Sequence, residues 1–463
     1  MTIANSNVHF IGIGGIGMCG LAELLHKMGA QVTGSDLSKN GQTENLEKLG
    51  ISVFYGHDKK NIHSQVDVVV YSSAVKSDNI EFQMAKELKI PMIPRAEALA
   101  EIMLLKKGIA VAGTHGKTTT TSLVSSIFLE AELAPTIFVG GVVDKIKSTA
   151  QLGDGEWLIA EADESDGSFH RLSPYLSVIT NIDSDHLDFY GSFEAVQKSF
   201  YDFALRVPFY GKVIVYGDDP KNRTLFRDFP KKILFYGFDK ENDYRLERGN
   251  GHFKVYIENQ EVLTFFPTMP GDHNALNCLA ALSVSHSAGI DLQVCKSGIE
   301  GFSGVARRSQ YKGKFNEIEI YDDYGHHPTE IEAVLKAFKE KVHEGRLVAL
   351  FEPHRYSRTK DCWQGFVKAF ENVDELFVID IYPAGENPIS GIESSRLAQE
   401  IDQKNVTYIP FSTSQISSAE EVLEKSPEIL AQISKCLQPG DCFITMGAGK
   451  VYRIGEALVN SQK

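Results

Sequence analysis

The chain has 463 residues, of which 43% are hydrophobic and 23% are charged, and its formal net charge is −14. These values are typical of a globular protein with about three domains. The negative charge argues against a protein that binds nucleic acid through its phosphates, because such proteins carry a basic surface. It does not exclude a nucleotide ligand, for which a few cations and backbone N–H groups suffice.

Cysteine usage and hydropathy favour a reducing compartment. The six cysteines form no CxxC pair, so the sequence predicts neither a disulfide framework nor a zinc site. The first residues, MTIANSNVHF, lack a basic stretch followed by a long apolar one, and no apolar run approaches the roughly 20 residues of a membrane-spanning helix. We therefore expect a cytoplasmic protein without membrane or nucleic-acid partners.

Short β-branched segments alternate with helical patterns along most of the chain, which predicts an α/β fold of βαβ units with mostly parallel sheets. Residues 239–265 are typical instead of an antiparallel patch. Breaks in the pattern near 106–108 and 303–314 predict three α/β domains, residues 1–107, 108–308 and 309–463. The predicted strands are VHFIGI (8–13), VDVVVY (66–71), IAVAG (109–113), LSVITNI (176–182), KVIVYG (212–217), LVALF (347–351) and LFVID (376–380).

The first strand leads into a glycine loop. Gly12, Gly14, Gly15 and Gly17 form a GxGxxG pattern before the helical stretch MCGLAELLHKMG. Such a loop allows a tight turn, and the N-terminus of the following helix presents N–H groups to a phosphate. The next strand, QVTGSD, ends at Asp36, whose carboxylate would accept from a sugar or base. The pattern suggests NAD, so an NAD(P)-dependent oxidoreductase is one hypothesis, and a turn that only packs a helix on a sheet is the alternative.

A second glycine loop follows the strand GIAVA. Its Gly-Lys-Thr triplet indicates a P-loop, in which backbone N–H groups hold phosphates, the lysine reaches the β- and γ-phosphates and the threonine hydroxyl binds Mg²⁺. The loop is shorter than the strict motif, which would require glycine where Val111 stands. The predicted nucleotide-binding residues of the loop are Gly113, Thr114, His115, Gly116, Lys117, Thr118 and Thr119.

Two acidic segments follow the P-loop, each after a predicted strand. The first, EADESD, begins at Glu161, and the second is DSDHLD at 183–188. Either segment alone is more typical of a solvated loop. After a P-loop, however, carboxylates at the ends of successive strands are natural Mg²⁺ ligands, because Mg²⁺ prefers hard oxygen atoms.

Two asparagines open a later apolar helix. Asn274 and Asn277 are three residues apart and therefore share a helix face. An asparagine amide pairs with the N6/N7 edge of adenine, which suggests an adenine contact. The alternative is that Asn274 caps the helix.

The motifs GTHGKTTT, EADESD, NIDSDHLD and HNALN, in this order, resemble those of the Mur ligases, ATP-dependent amide-forming enzymes of peptidoglycan assembly. The segments DDYGHHPTE, from Asp322, and PHRYSRT, from Pro353, strengthen the resemblance. Within the family these two segments are similar to those of enzymes that add L-alanine to UDP-N-acetylmuramate. The resemblance covers essentially the whole chain.

The resemblance implies three domains: an N-terminal Rossmann-like domain for the UDP-sugar, a central P-loop-type ATPase domain and a C-terminal Rossmann-like α/β domain for the amino acid. It replaces NAD at the first glycine loop by the UDP diphosphate. The implied reaction has two steps. The lactyl carboxylate attacks the γ-phosphate of ATP to give an acyl phosphate and ADP, and the amine of L-alanine then displaces phosphate.

The resemblance also implies roles for individual residues. Lys117, Glu161, His186, His326 and Arg358 would be catalytic, and Thr118, Glu161 and His186 would bind Mg²⁺ or Mn²⁺. Asn274, Asn277, Arg308 and Asp323 would join the P-loop in binding ATP, with Asp323 on the ribose or orienting the interdomain linker. The amino acid would lie among His327, His354, Arg355 and Arg358, with an arginine on its carboxylate. The UDP-sugar would contact Gly12, Gly14, Gly15, Gly17, Asp36, Ser72 and Ser73.

One departure and several alternatives stay open at this stage. Several Mur ligases carry a carbamylated lysine about 14 residues after the metal-binding histidine, where this chain has Phe200, with Lys198 as the nearest lysine. A ligase that recycles a murein tripeptide onto UDP-N-acetylmuramate and an ATP-driven switch are the alternatives within ATP chemistry. We expect a monomer or a weak homodimer whose partners are the small-molecule substrates UDP-N-acetylmuramate, ATP and L-alanine.

Overall fold

A computed structural model describes residues 3–72, 74–143, 146, 148–342 and 345–462. The chain divides into two compact units. Unit 1 comprises Met1–Thr268 and Leu276–Ser303, and unit 2 comprises Met269–Ala275 and Gly304–Lys463. Among the described residues, no helix is both long enough and apolar enough to cross a membrane.

The strands and helices alternate as the sequence predicts. The strands are β1 (Asn7–Ile11), β2 (Gln31–Asp36), β3 (Ser52–Tyr55), β4 (Val68–Tyr71), β5 (Met92–Pro94), β6 (Lys107–Ala112), β7 (Thr136–Val143), β8 (Ser148–Gln151), β9 (Trp157–Glu161), β10 (Leu176–Ile179), β11 (Lys212–Tyr216), β12 (Ile233–Gly237), β13 (Tyr244–Arg248), β14 (Phe253–Ile257), β15 (Gln260–Phe265), β16 (Gln310–Phe315), β17 (Ile318–Asp323), β18 (Leu347–Phe351), β19 (Glu375–Val378), β20 (Val406–Tyr408) and β21 (Cys442–Met446). The helices are α1 (Ile16–Lys27), α2 (Gly41–Lys48), α3 (Ile80–Glu87), α4 (Arg95–Met103), α5 (Lys117–Glu130), α6 (Leu187–Tyr190), α7 (Phe193–Ala204), α8 (Pro220–Leu225), α9 (Asp272–Ser287), α10 (Leu292–Glu300), α11 (Pro328–Lys341), α12 (Tyr356–Asp361), α13 (Trp363–Lys368), α14 (Ser394–Glu400), α15 (Ala419–Lys425), α16 (Pro427–Cys436) and α17 (Tyr452–Asn460).

Unit 1 contains two sheets. The first has the order β3-β2-β1-β4-β5 with parallel pairs throughout, so the carboxyl ends of β1, β2 and β4 share one edge. The second has the order β15-β14-β13-β12-β11-β10-β6-β9-β7-β8. Its central strands are parallel and largely buried, which explains their continuous β-branched sequences. The antiparallel patch predicted at 239–265 is confirmed as β13, β14 and β15.

The first predicted break, at 106–108, overlaps a strand, because β6 already begins at Lys107. Lys107 pairs with Trp157 of β9, so the strand begins within the polar Lys-Lys pair rather than after it. A neighbouring strand can extend pairing into a polar segment, which local composition does not reveal.

Unit 2 is a six-stranded sheet between two helical layers. The strand order is β16-β17-β21-β18-β19-β20, with an antiparallel β16–β17 pair and parallel pairs elsewhere. Side chains of α11, α13 and α14 form a buried apolar cluster on one face, and those of α15, α16 and α17 form another on the opposite face. The segments that follow β17 and β18 at the carboxyl edge carry the DDYGHHPTE and PHRYSRT motifs.

A buried carboxylate stabilises the first sheet. Glu81 of α3 is completely buried and accepts hydrogen bonds from Ser35 Oγ (2.5 Å) and Asn61 Nδ2 (2.5 Å). His9 Nε2 lies 3.5 Å from the carboxylate and His57 Nδ1 lies 3.4 Å from it. Burial alone would raise the pKa of Glu81, but the hydrogen bonds from His9, Ser35 and Asn61 outweigh burial and lower it to about 2.

Replacement of Glu81 by alanine is expected to reduce the free energy of unfolding by about 3–5 kcal/mol, because it leaves buried donors without an acceptor. In the native chain, this contribution is present above pH 4.5, the ordinary pKa of the group, and is lost as the pH falls towards 2. Denaturant and acid unfolding followed by circular dichroism measure both effects. Glu87→Ala, an exposed position on the same helix, is the matched control. Equal stability of the two variants would contradict the prediction.

Candidate functional site

The second glycine loop connects β6 to α5, and its glycines are required by space and backbone conformation. Gly113 has φ of 138°, and a Cβ atom there would lie 1.9 Å from Thr180 Oγ1. Gly116 has φ of 81°, and a Cβ atom there would lie 2.6 Å from Asn277 Oδ1. A residue with a Cβ atom at either position would displace the loop. With glycine there, the backbone N–H groups of the loop are open to close approach by a phosphate.

Residues after β10 fix the loop from the side. Asn181 Oδ1 accepts from His115 N (2.9 Å), and Asn181 Nδ2 donates to His115 O (2.9 Å). Thr180 Oγ1 donates to the same carbonyl (2.6 Å), and Asp183 N donates to Thr114 Oγ1 (2.9 Å). Thr180 and Asn181 were not among the predicted site residues, because sequence alone did not show which strand lies beside the loop.

Lys117, the first residue of α5, is bound to its own loop and to an acidic side chain. Its Nζ donates to Gly113 O (2.7 Å), Thr114 O (3.1 Å) and Glu164 Oε1 (2.8 Å). Burial disfavours the ammonium, but Glu164 and Asp163 outweigh burial and raise the pKa of Lys117. The lysine is therefore charged at neutral pH and suited to stabilising phosphate oxygens.

Glu164 is a site residue that sequence reasoning did not select from the EADESD segment. It is 2% exposed, and burial, with a smaller repulsion from Asp163, raises its pKa to about 7 despite the contact with Lys117. His186 Nε2 lies 3.8 Å from the same oxygen, Oε1, that accepts from Lys117. Glu164 thus brings the P-loop lysine and the predicted metal-binding histidine to one carboxylate.

Two of the predicted metal ligands lie together. Thr118 Oγ1 donates to Glu161 Oε1 (3.1 Å), and Glu161 Oε2 accepts from Gly140 N (2.8 Å). A Cβ atom on Gly140 would lie 2.8 Å from Glu161 Oε2, so the carboxylate packs closely on β7. A hydroxyl and a carboxylate held at this spacing fit Mg²⁺, which prefers hard oxygen ligands. Thr119 is buried in the same first turn of α5.

The two asparagines of α9 have different surroundings. Asn277 Oδ1 accepts from Thr120 Oγ1 (3.1 Å) and packs against Gly116, so it lies at the P-loop. Asn274 Nδ2 donates to Pro270 O (2.8 Å). The alternative that Asn274 caps the helix is wrong, because α9 already begins at Asp272 and Asn274 lies within its first turn.

The first glycine loop lies at the carboxyl edge of the five-stranded sheet. Asp36 Oδ2 accepts from Gly14 N (2.8 Å), and a Cβ atom on Gly14 would lie 2.8 Å from that same oxygen. Gly12 has φ of 81° and lies against the Ser72 side chain. Gly15 precedes α1 as its N-cap. The structure therefore brings the predicted UDP-sugar residues together, except that Ser73 lies outside the described residues.

Arg95 is a further cation at this loop that sequence reasoning missed. A Cβ atom on Gly17 would lie 2.9 Å from Arg95 Nη1, and Arg95 Nη2 lies 3.8 Å from Asp163 Oδ2. Arg95 is the first residue of α4, where the helix dipole disfavours a positive charge. An arginine at this unfavourable position, in the segment PRAEALA, is the sequence signal that could have indicated a contact with a group outside α4.

The two arginines of the Arg-Arg pair in unit 2 have different hydrogen-bond and ion-pair partners. Arg307 is engaged within the unit, since its guanidinium donates to Asp322 Oδ2 (3.1 Å), Gly447 O (2.6 Å) and Gly449 O (3.0 Å). Both guanidinium groups lie 5.0 Å from the centroid of the Tyr324 ring, and Arg308 Nη1 also lies 3.9 Å from Glu330 Oε1. The predicted contact of Arg308 with the nucleotide phosphates stays a prediction.

Asp323 is hydrogen-bonded to Ser309, the residue before β16. Its carboxylate accepts from Ser309 N (2.7 Å) and Gly325 N (2.7 Å), and burial raises its pKa to about 6. Both bonds lie within unit 2, so the predicted role of Asp323, on the ribose or on the interdomain linker, stays a prediction.

Of the two histidines that follow β17, His327 is buried and His326 is half-buried. Burial lowers the pKa of His326 to about 4, so its ring is neutral at neutral pH. His326 Nδ1 lies 3.1 Å from Tyr324 O, a carbonyl that can only accept, so Nδ1 carries the proton and Nε2 is the acceptor. His327 is the N-cap of α11 and forms a capping box with Glu330. The predicted contact of His327 with an amino acid stays a prediction.

The PHRYSRT segment connects β18 to α12. The His354 ring stacks on Tyr382, with centroids 5.5 Å apart, and burial lowers the His354 pKa to about 3. Arg358 Nη1 lies 3.5 Å from His354 Nδ1. Arg358 Nε is buried, and among the described residues no group accepts a hydrogen bond from it. A buried guanidinium N–H without an acceptor fits a site that takes a carboxylate ligand.

The position of the carbamylated lysine of other Mur ligases is part of the core here. Phe200 is completely buried and packs edge-on against Phe169, with ring centroids 5.4 Å apart. Lys198 points outward and pairs with Asp202 at 2.5 Å, with 73% of its side chain exposed. In this structure neither residue joins the described contacts of the P-loop.

Comparison with known proteins finds Mur ligase domains along most of the chain. Residues 7–118 match the Mur ligase family catalytic domain, residues 111–285 the Mur ligase middle domain, and residues 307–449 the Mur ligase glutamate ligase domain. A UDP-N-acetylmuramate–L-alanine ligase of Bdellovibrio bacteriovorus is 53% identical over 466 residues, covering 99% of this chain and 100% of the relative. A protein of the same name from Oleidesulfovibrio alaskensis is 44% identical, covering 98% of each chain.

Solved structures show the same architecture. A UDP-N-acetylmuramate–alanine ligase from Thermotoga maritima superposes with a TM-score of 0.80 at 27% identity, covering 98% of this chain and 99% of that one. A murein peptide ligase from Psychrobacter arcticus, 23% identical, has a TM-score of 0.70 over 99% of this chain and 98% of that one and shows that the fold is shared. These matches place the chain among ligases rather than oxidoreductases, and the chain belongs to the Mur ligase family.

Proposed function

We propose that this chain joins L-alanine to the lactyl carboxylate of UDP-N-acetylmuramate, with cleavage of ATP to ADP and phosphate. The observation that carries the proposal is the end-to-end match, at 53% identity, to a relative named for that reaction. The geometry of the P-loop and of the PHRYSRT segment supports it. The carboxylate oxygen attacks the γ-phosphorus as ADP leaves, and the amine nitrogen then attacks the acyl carbon as phosphate leaves.

The P-loop in unit 1 provides the phosphate contacts. Lys117 would exchange its bonds to Gly113 O, Thr114 O and Glu164 for β- and γ-phosphate oxygens. Asn277, held by Thr120 beside Gly116, is placed for the nucleoside, and we assign Asn274 the same role. The reaction brings anions together, so charge neutralisation and positioning are its main requirements.

Thr118, Glu161 and His186 would hold Mg²⁺ or Mn²⁺. The Thr118 hydroxyl and Glu161 carboxylate, 3.1 Å apart, form a hard-oxygen pair that suits either ion. The metal would supply charge neutralisation at the phosphates. In this chain, Gly140 N orients Glu161, and Glu164 and Asp185 flank His186.

Each substrate is assigned to one range of the chain. We assign residues 1–107 to the UDP-sugar, with Gly12, Gly14, Gly15, Gly17, Asp36, Ser72 and Ser73, and we add Arg95 as a cation for the diphosphate. Residues 108–308 take ATP. Residues 309–463 take L-alanine among His326, His327, His354, Arg355 and Arg358, where the neutral His326 would accept from the ammonium at Nε2.

A monomer or weak homodimer in the cytoplasm is the proposed state. The six cysteines, all among the described residues, are free thiols in this structure.

Phosphate release is the test of the reaction. The purified chain is supplied with ATP, Mg²⁺ and UDP-N-acetylmuramate, and single amino acids or the murein tripeptide are added in turn. We expect release that requires both the sugar nucleotide and L-alanine. Release only with the tripeptide would assign the chain to the recycling reaction, and release with neither substrate would indicate an ATP-driven switch.

A further inference from the structure

The segment from Tyr382 to Glu386 holds the backbone of the PHRYSRT segment in an unusual conformation. Arg355, at the start of α12, has φ of 70° and ψ of 135°, a region that residues other than glycine rarely occupy. Arg355 N donates to Tyr382 O (2.9 Å), and Tyr382 N donates to Pro353 O (2.8 Å). The strained turn is therefore fixed by contacts more than 25 residues away in the sequence.

Glu386 fixes the side chain of the same arginine. Its Oε1 accepts from Arg355 Nε (2.6 Å) and from Ser357 Oγ (2.6 Å), and its Oε2 accepts from Ser357 N (3.0 Å). Burial alone would raise the pKa of Glu386, but Ser357 and Arg355 outweigh burial and lower it. The carboxylate is thus ionised at neutral pH and bonded along both of its oxygens.

The turn that carries Glu386 is itself specialised. Ala384 has φ of 48° and Gly385 has φ of 85°, and Glu386 N donates to Pro383 O (2.9 Å). Two consecutive residues with positive φ are typical of a type I′ turn, which is tight and holds the flanking residues in a defined direction. The backbone therefore directs the Glu386 carboxylate at Arg355 rather than leaving it on a mobile loop.

We propose that Glu386 is a positioning residue for the amino-acid site: by holding Arg355 through Nε, it presents the Nη1 and Nη2 edge of the guanidinium to the carboxylate of the incoming amino acid. This inference rests on the proposed function. Along the described chain, Glu386 is the acidic partner of Arg355, and no hydrogen bond occupies either Nη atom. A guanidinium anchored on one edge loses less freedom when its other edge binds a carboxylate in bidentate geometry.

The test is a double-mutant cycle on kcat/KM for L-alanine at saturating ATP and UDP-N-acetylmuramate. Arg355→Ala is expected to lower this value about 100-fold and Glu386→Gln about tenfold, because the variant keeps the size of the side chain but loses its charge. The double variant is expected to match Arg355→Ala alone, since Glu386 acts through that arginine. The KM values for ATP and UDP-N-acetylmuramate should change less than about twofold.

Glu393→Gln is the matched control, because Glu393 is exposed in the same segment of unit 2. Multiplicative effects in the double variant, or equal increases in all three KM values, would overturn the proposal. If Glu386→Gln does not fold, Glu386→Asp, which keeps the charge on a shorter side chain, enters the same cycle.

A wild-type chain without alanine-dependent phosphate release would contradict the proposed function instead. In that case, nuclear magnetic resonance of the Arg355 Nε proton tests the ion pair with Glu386. Slow exchange of this proton with water would support the ion pair, and rapid exchange would overturn it.

Discussion

Replacement of Lys117 by alanine is expected to lower kcat by about 10³-fold while leaving the affinity for UDP-N-acetylmuramate nearly unchanged. The ammonium is the cation of the P-loop, and it is held on the loop carbonyls and Glu164. Its removal eliminates a preorganised charge that would act on the transferred phosphoryl group. The first glycine loop lies on a different sheet, so the UDP-sugar contacts should be preserved. Steady-state phosphate release and calorimetric titration of UDP-N-acetylmuramate measure the two effects.

The matched control is Lys198→Ala, because Lys198 is a solvent-exposed lysine of the same unit. It should retain full activity. Loss of Lys117 also leaves the buried Glu164 without its cation, which destabilises the fold unless the carboxyl is protonated. Lys117→Ala combined with Glu164→Gln separates this effect from catalysis, since the double variant should regain stability but not activity. Equal losses of turnover and of UDP-sugar binding in the single variant would contradict the assignment.

Replacement of Arg358 by alanine is expected to raise the KM for L-alanine about 30- to 100-fold, with a smaller change in kcat. The guanidinium lies beside His354, and its buried Nε has no acceptor among the described residues, so a ligand carboxylate would complete its hydrogen bonding. An alanine side chain cannot replace a guanidinium hydrogen bond to that carboxylate. Initial rates of phosphate release against L-alanine concentration provide the measurement.

Arg396→Ala is the control for this variant, because Arg396 is an exposed arginine of unit 2 that pairs with Glu400. It should leave the alanine dependence unchanged. An unchanged KM for L-alanine in Arg358→Ala would remove Arg358 from the amino-acid site. A parallel increase in the KM for ATP would indicate a general distortion of unit 2 rather than the loss of one contact.

The segments that form strands, the two glycine loops and the motifs that indicate the family can all be predicted from the sequence. These features are contiguous in the chain, and local physics governs them: β-branched runs form buried parallel strands, and glycines at Gly12, Gly113 and Gly116 accept a backbone conformation that other residues avoid. The predicted strand QVTGSD coincides with β2, and the antiparallel patch at 239–265 is present. Phosphate binding also depends on contiguous N–H groups and one lysine, so its signal is visible without a structure.

The distant side chains that contact those motifs are visible in the folded chain and not in the sequence. Glu164 contacts Lys117 from 47 residues away, Glu386 contacts Arg355 from 31 residues away, and Arg95 approaches Gly17 from another helix. The tertiary structure also shows that the Phe200 position is filled by the core and that Asn274 is not a helix cap. The physical reason is that such contacts depend on how strands order in a sheet and on which edge each loop emerges. Hydrophobic periodicity identifies a strand but does not specify its neighbours.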